Sequence, residues 1–189
     1  MPATPRRTRS DALENRARLL EVAAQVFAEE GLDTAPAAIA KRAGVGVGTL
    51  YRHFPTREVL VDAAYQHQLS RVCERAAELV ARHPPAEATR RWLAHFIGYA
   101  TAKRGMSSAL NAVITSGVDP FANSHALLVE AVGTLLEAGA GDGSLRADVR
   151  ADDVLLLLGG LAYAAQHGTR KQADRLVDLT MDALTAGAG

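Results

Sequence analysis

Apolar positions along the chain recur at helical spacing and not at the spacing of a strand. Leu13, Ala17, Leu20, Ala24 and Phe27 follow one another at steps of four and three, which places them on one face of a helix. No stretch alternates apolar and polar residues with the period of two that a half-buried strand requires. Alanine and leucine, which favour helix, dominate the composition. The pattern predicts an all-α fold without a sheet.

Glycine and proline divide this pattern into nine predicted helices. Proline cannot continue the helical hydrogen-bond ladder, so Pro55 ends one helix, and Thr56 is placed to cap the next. Ser10 or Asp11 is expected to cap the first helix, and Gly31 to end it. The predicted helices span residues 10–30, 36–43, 47–54, 56–82, 86–103, 106–116, 124–138, 151–168 and 171–186. The glycine-rich stretch 139–144 is expected to follow the seventh helix as a break.

Residues 35–54 have the spacing of a helix-turn-helix motif. Apolar residues at positions 39, 40, 43, 45 and 50 are expected to hold the second helix against the third, and Gly44 to supply a positive φ in the turn. The third helix then projects Val47, Gly48, Thr49, Tyr51, Arg52 and His53. Small residues at its start would let the backbone enter a major groove, and polar residues could reach phosphates and base edges. A core position is the alternative for Tyr51 and the favoured one for Phe54.

The stretch from Arg16 to Ala63, which includes this motif, resembles the TetR family of transcriptional regulators. The matching residues are Leu20, Ala23, Phe27, Gly31, Ile39-Ala40, Ala43-Gly44-Val45, Gly48-Thr49-Leu50-Tyr51, His53-Phe54, Arg57 and Leu60. The resemblance implies a homodimer on a palindromic double-stranded DNA operator, and repression that a small-molecule effector relieves. It also implies a DNA-binding domain at residues 1–60 and a ligand-binding and dimerisation domain at residues 61–189.

Roles for single residues follow from the same resemblance. Thr49 and Tyr51 are expected to contact phosphates or bases, and His53 and Arg57 to contact phosphates. Arg52 could read guanine through two hydrogen bonds. The chain departs from many relatives at Gly46-Val47, where they carry serine and then lysine. We therefore expect Val47 to pack against a thymine methyl group.

Helices between residues 59 and 138 are expected to form the effector pocket. Its candidate wall residues are His67, Trp92, His95, Phe96, Tyr99, Asn111 and His125, with Met106 and Phe121 beside them. Trp92, Phe96 and Tyr99 share one helical face, which is more often a core face than a ligand cage. His95 and Asn111 are expected to need polar partners, because they lie in apolar helices.

The last two helices are expected to form the dimer interface, through Leu157, Leu161, Leu176, Leu179 and Ala183. Residues 154–158 are apolar on every side of the helix, so we expect burial on every side. The glycine pair that follows favours close approach of a neighbour, since glycine in a helix costs about 1 kcal/mol relative to alanine. The alternative is that these helices complete the core of the monomer.

Charge and cysteine content refine this interpretation. Lys plus Arg and Asp plus Glu each number 21 in the 189 residues, a balance that argues against a nucleic-acid binder. Residues 1–20, however, hold five arginines against two acidic residues, and Arg6, Arg7 and Arg9 form either a DNA-contacting arm or a solvated tail. With one cysteine, Cys73, no signal peptide and no membrane span, we expect a cytoplasmic soluble protein with no membrane partner.

Enzyme motifs are absent from the sequence. It contains no G-x-S-x-G, no H-E-x-x-H and no Walker A motif, and the histidines do not pair at metal-ligand spacing. We therefore expect no catalytic residue, no cofactor and no metal. The competing hypothesis is a helical protein-interaction scaffold whose helix-turn-helix no longer binds DNA, which the neutral charge would favour.

Overall fold

A computed structural model describes residues 9–30, 34–185 and 187, and these residues form nine α-helices and no strand. The helices are α1 (Arg9–Glu30), α2 (Pro36–Arg42), α3 (Val47–His53), α4 (Arg57–Val80), α5 (Pro85–Gly105), α6 (Ser107–Thr115), α7 (Ser124–Asp142), α8 (Ala151–His167) and α9 (Arg170–Thr185). The all-α prediction is confirmed. Within the described ranges, no helix is long and apolar enough to cross a bilayer.

The helices pack into two compact units. The first contains the described residues up to His67 together with Gly105–Asp119, and the second contains Gln68–Arg104 and the described residues from Pro120 onward. Helix α4 contributes residues to both units, and α6 belongs to the first. The division into functional domains at residue 60 stays a prediction.

The core of the first unit is formed by α1, α2 and α3 with the start of α4. Phe27, Ile39, Ala40 and Leu50 are fully buried there, as the helix-turn-helix spacing predicts. Gly105, the last residue of α5, belongs to the same unit, and a Cβ added there would lie 2.4 Å from the backbone oxygen of Ala28. Only glycine permits so close an approach of two backbones.

The core of the second unit contains the aromatic face of α5. Trp92 is fully buried, and its indole N–H donates a hydrogen bond of 2.8 Å to the backbone oxygen of Val72 in α4. The ring of Phe96 stacks on that of Trp92 with centroids 5.7 Å apart, and Tyr99 packs at 5.9 Å from Phe96. A buried indole with its donor satisfied is a stable core element.

The predicted end of the seventh helix at residue 138 is wrong, because α7 continues through two glycines to Asp142. Gly139 is buried against Leu145, whose backbone N–H donates to the Gly139 oxygen at 3.0 Å. The helix ends at Gly143, which has a φ of +76°. A glycine in the left-handed region stops a helix, whereas a glycine with helical angles only weakens it.

Some sequence expectations lie outside the described residues. These are the arm arginines Arg6 and Arg7, the stop at Gly31, and the predicted last helical residue Ala186. The backbone of residues 9–12 is helical, but the side chains of Arg9, Ser10 and Asp11 are not described, so the capping prediction for α1 is not tested.

Candidate nucleic-acid interface

The turn between α2 and α3 depends on one glycine. Gly44 has a φ of +68°, which an L side chain rarely adopts. Around it, the N–H of Gly44 donates to the Lys41 oxygen at 3.1 Å, and the N–H of Val45 donates to the Ala40 oxygen at 2.9 Å. These bonds satisfy the last carbonyls of α2 and turn the chain toward α3.

Backbone and side-chain groups define both ends of α3. The Gly46 oxygen accepts hydrogen bonds from the N–H groups of Thr49 and Leu50, at 2.9 and 3.1 Å. The helix ends before Pro55, and the next helix begins where Thr56 Oγ1 accepts a hydrogen bond of 3.3 Å from the Val59 N–H. The predicted cap at Thr56 is confirmed. Helix α3 is therefore seven residues long, with its position fixed at each end.

One face of α3 is exposed to solvent. Val47 is 40% exposed and Tyr51 49%, so the alternative core position for Tyr51 is wrong. Gly48, Arg52 and His53 are also exposed, and Thr49 is half-buried. Phe54, by contrast, is buried, as favoured from the sequence. Every residue of α3 except Leu50 is thus at least partly exposed, and we call these six residues the α3 face: Val47, Gly48, Thr49, Tyr51, Arg52 and His53.

Most described cations near the motif already have internal partners. Arg18 of α1 donates through Nε to the Ala43 oxygen at 3.0 Å, and the Arg16 guanidinium lies 5.5 Å from the centre of the Phe54 ring. Arg42 pairs with Glu30 at 2.6 Å. A hydrogen bond from the Thr34 hydroxyl and the Arg42 pair lower the pKa of Glu30, so this carboxylate stays charged.

Arg57, at the start of α4, is held differently from the predicted phosphate contact. Its Nη2 donates to the backbone oxygen of Thr34, 23 residues earlier, and its Nε is buried without a hydrogen-bond partner. The side chain therefore ties the loop before α2 to the start of α4. Helical periodicity carries no signal for such a bond, so sequence reasoning did not find it. The phosphate contact stays a prediction.

The seven candidate wall residues of the effector pocket do not form one cluster. His67 and Asn111 belong to the first unit, and the other five belong to the second. His67 Nε2 lies 3.7 Å from a carboxylate oxygen of Glu21. His95 and Asn111 are exposed, so the expectation that each needs a partner inside an apolar helix is wrong. Both face solvent, where water satisfies their polar groups.

The remaining wall candidates take ordinary structural positions. Trp92, Phe96 and Tyr99 lie in the core of the second unit, which agrees with the core alternative for this face. His125 is exposed on α7, and its Nε2 lies 3.7 Å from a carboxylate oxygen of Asp152. Their role toward an effector stays a prediction.

A groove of about 280 Å³ lies between α4 and α7 of the second unit. It is lined by Ser70, Cys73, Glu74, Ala76, Ala77, Leu127, Glu130, Ala131 and Thr134. Burial, and then the charges of Glu130 and Glu74, raise the pKa of the Cys73 thiol to about 11. The thiol is therefore protonated at neutral pH and is a poor nucleophile.

The last two helices present an apolar surface to solvent. Leu156 is 78% exposed, Leu157 51% and Leu179 62%. The expectation that residues 154–158 are buried on every side is thus wrong for the single chain, because only Val154 and Leu158 of these five residues are buried. Of the other dimerisation candidates, Ala183 is exposed, Leu176 half-buried and Leu161 buried within its own unit.

The exposed surface continues across α8 and α9. An apolar groove of about 430 Å³ lies between them, lined in part by Tyr163, Leu176 and Leu179. Gly159 and Gly160 are exposed, and a Cβ added at either would meet no atom within 4 Å. No neighbour in the described chain accounts for this glycine pair. We refer to the exposed residues Leu156, Leu157, Gly159, Gly160, Tyr163 and Leu179 as the α8–α9 face.

Comparisons with known proteins match both parts of the chain. Residues 19–64 match the family model described as bacterial regulatory proteins, tetR family. Residues 84–186, more than half of the chain, match the C-terminal domain of SbtR-like transcriptional regulators. An HTH-type transcriptional regulator of Staphylococcus aureus is 44% identical over 63 residues, 33% of this chain. The match spans about a third of the length of such curated relatives.

Solved structures agree over nearly the whole length. A TetR transcriptional regulator from Streptomyces coelicolor is 47% identical, with a TM-score of 0.85 over 90% of this chain and 98% of that chain. A TetR transcription regulatory protein from Mycobacterium vanbaalenii is 35% identical, with a TM-score of 0.76 over 94% and 98%. The chain belongs to the TetR family of helix-turn-helix transcriptional regulators.

Proposed function

We propose that this protein represses transcription as a homodimer bound to a palindromic operator, and that a small-molecule effector releases it. The observation that carries the proposal is the α3 face. Gly48 has no side chain that would keep the helix backbone away from DNA. Tyr51, Arg52 and His53 are exposed beside it and are not part of the core. A short helix with this surface fits a major groove.

The α3 face divides into positioning and reading residues. We propose that Thr49, Tyr51 and His53 contact phosphates or bases, and that Arg52 reads guanine through its two-pronged guanidinium. Val47 is 40% exposed at the start of the helix, where a thymine methyl group could pack against it. Arg57 is proposed to contact a phosphate in addition to its hydrogen bond with Thr34.

The α8–α9 face supports the homodimer. Large apolar side chains that remain exposed in one chain commonly mark an interface, and a two-fold axis would bring each such face onto its copy. The unfilled space above Gly159 and Gly160 fits close approach of a second helix. A dimer of this kind would present its two α3 helices to half-sites about 34 Å apart.

Release follows from coupled equilibria. An effector shifts the population only if it binds the DNA-incompetent conformation more tightly than the competent one. We propose that it binds among the helices of the second unit and acts through α4, the helix whose residues belong to both units. The protein would act in the cytoplasm, where bacterial DNA lies, without catalysing a reaction.

In vitro selection of DNA sequences by the purified full chain tests the DNA-binding proposal. We expect a palindrome with two half-sites about one helical turn apart, and a preference for thymine opposite Val47. The variant Arg52→Gln should relax the base preference at one position of each half-site, whereas Arg104→Gln, an exposed arginine of α5, should select the same sequence. Failure to enrich any sequence would favour the protein-interaction scaffold.

Analytical ultracentrifugation tests the dimer. The double variant Leu157→Glu, Leu179→Glu should sediment as a monomer, because it places charges in an apolar contact. Ile114→Glu, which alters an exposed apolar residue of α6, should leave the dimer intact. A dimer that survives the double variant would place the interface elsewhere.

A further inference from the structure

A cavity between α5 and α9 in the second unit has a lining that no part of the proposed function uses. The two helices are joined by an ion pair between Arg90 and Asp178. Beyond that pair they border a cavity of about 350 Å³ that is open to solvent and lined by Ala94, Ile97, Gly98, Thr101, Arg170, Ala173 and Asp174. This volume lies in the lower part of the range of ligand sites in proteins, so it suits a small molecule.

The cavity exists because α5 carries small residues at this place. Gly98 lies inside α5, and a Cβ added there would meet no atom within 4 Å. Glycine in a helix costs about 1 kcal/mol relative to alanine, and no close contact in the described chain requires it here. The missing side chain leaves the space open above Ile97 and Ala94.

The charged part of the lining consists of one cation and one anion, which lie one helical turn apart on α9. Arg170 and Asp174 both lie on the cavity side of α9, and the described residues offer neither of them an ion pair or a side-chain hydrogen bond. Both are exposed, so a ligand can enter from solvent. The Thr101 hydroxyl donates to the Ile97 oxygen at 2.9 Å, which leaves its own oxygen free to accept.

We propose that this cavity binds a small zwitterion, an apolar α-amino acid, as an effector of this regulator. The carboxylate of the ligand would pair with the Arg170 guanidinium, which matches carboxylate geometry. Its ammonium group would donate to the Asp174 carboxylate and the Thr101 oxygen. The apolar side chain would lie against Ile97, Ala173 and the open space over Gly98.

The charge pattern selects against other ligand classes. An anion such as phosphate would lie beside the Asp174 carboxylate, and a simple cation would lie beside the Arg170 guanidinium. Only a molecule with both charges satisfies both side chains. The proposal rests on the proposed function in one respect only, namely that ligand binding alters operator affinity.

Isothermal titration calorimetry of the full chain with six apolar amino acids (alanine, valine, leucine, isoleucine, methionine and phenylalanine) tests the site. We expect at least one to bind. Its amide, which lacks the carboxylate, and its deaminated acid, which lacks the ammonium, should each bind at least tenfold more weakly, about the value of one charged hydrogen bond. Absence of heat with all six, or equal binding of the amide or the acid, would overturn the proposal.

Variants locate the binding and separate it from DNA recognition. Gly98→Leu places a side chain in the cavity, where its Cβ would meet no atom within 4 Å, and should abolish binding, with a melting temperature no lower than that of the wild type. Arg170→Gln and Asp174→Asn should each weaken binding about tenfold. The matched controls Gly141→Leu, Lys171→Gln and Asp182→Asn should bind normally. Unchanged binding by Gly98→Leu would overturn the site.

Operator affinity, measured separately, keeps the two proposals distinguishable. A bound amino acid should change the operator affinity of the wild type and leave that of Gly98→Leu unchanged. Amino acid binding in a protein that selects no operator would support the site and overturn the regulatory function. Operator binding without any calorimetric response would support the function and overturn the site.

Discussion

Arg52 and Arg57 lie five residues apart, yet the structure places their guanidinium groups in different surroundings. Arg52 is exposed on the α3 face, and no described residue pairs with it. Arg57 donates to the Thr34 oxygen and buries its Nε. Both are arginines in the motif region, so residue type alone does not distinguish an arginine exposed on the α3 face from one that supports the motif.

Replacing these two arginines should therefore affect the stability of the fold to different extents. Arg57→Gln should lower the free energy of unfolding by about 1–3 kcal/mol, since it leaves a partly buried carbonyl without its charged donor. Arg52→Gln should change it by less than about 0.5 kcal/mol, as surface substitutions usually do, but should weaken operator binding. Urea unfolding and a DNA-binding titration measure the two quantities. An unfolding midpoint that Arg57→Gln leaves unchanged would contradict the supporting role.

Cys73 gives a pH-dependent prediction at the same scale. Burial beside Glu130 and Glu74 raises its pKa from 9.0 to about 11, so about a hundredfold less thiolate is present at pH 7.5. Alkylation by iodoacetamide should be slower than for an ordinary thiol by about that factor, and should accelerate as pH rises toward 11. The same chain in urea serves as the control and should react at the ordinary rate.

Among the elements, short helices near turns could be predicted well from sequence. Gly44, Pro55 and Thr56 act on their immediate neighbours, so the bounds of α3 followed from local chemistry. The end of α7 could not be predicted in this way, because Gly139 is held in the helix by Leu145, a contact that forms only in the folded chain. Periodicity likewise placed Trp92, Phe96 and Tyr99 on one face without showing that the face meets α4.

The glycines of α7 allow a matched test of this explanation. A Cβ at Gly139 would lie 2.3 Å from Leu145 Cγ and 2.7 Å from its Cβ, whereas one at Gly141 would meet nothing within 4 Å. Gly139→Ala should destabilise the protein by about 1–3 kcal/mol through overpacking. Gly141→Ala should be neutral or stabilise it by up to about 1 kcal/mol. Thermal unfolding of the two variants measures this difference, and equal changes in stability would contradict the contact between Gly139 and Leu145.

At the scale of the whole molecule, the balance of 21 basic and 21 acidic residues has a structural counterpart. Arg16, Arg18, Arg42 and Arg57 of the first unit are engaged with a ring, carbonyl oxygens or a carboxylate. These cations stabilise the motif and leave few to neutralise phosphates. We therefore expect DNA recognition to depend on the shape of the α3 face more than on a basic surface, which the total charge alone could not indicate.

The salt dependence of operator binding tests that conclusion. Each neutralised phosphate contributes about −0.9 to the slope of log affinity against log salt concentration. Lys41, which is exposed and has no side-chain partner among the described residues, and Arg57, proposed to contact a phosphate, give about four contacts in a dimer and a slope of about −4. The measurement uses the triple variant Arg6→Gln, Arg7→Gln, Arg9→Gln, so that the arm contributes no charge. The wild type is measured beside it to show the contribution of the arm.

A slope steeper than about −7 would mean that the internally paired arginines exchange their partners for phosphates on binding. An affinity that does not change with salt concentration would mean that no phosphate is neutralised, and would favour the scaffold hypothesis.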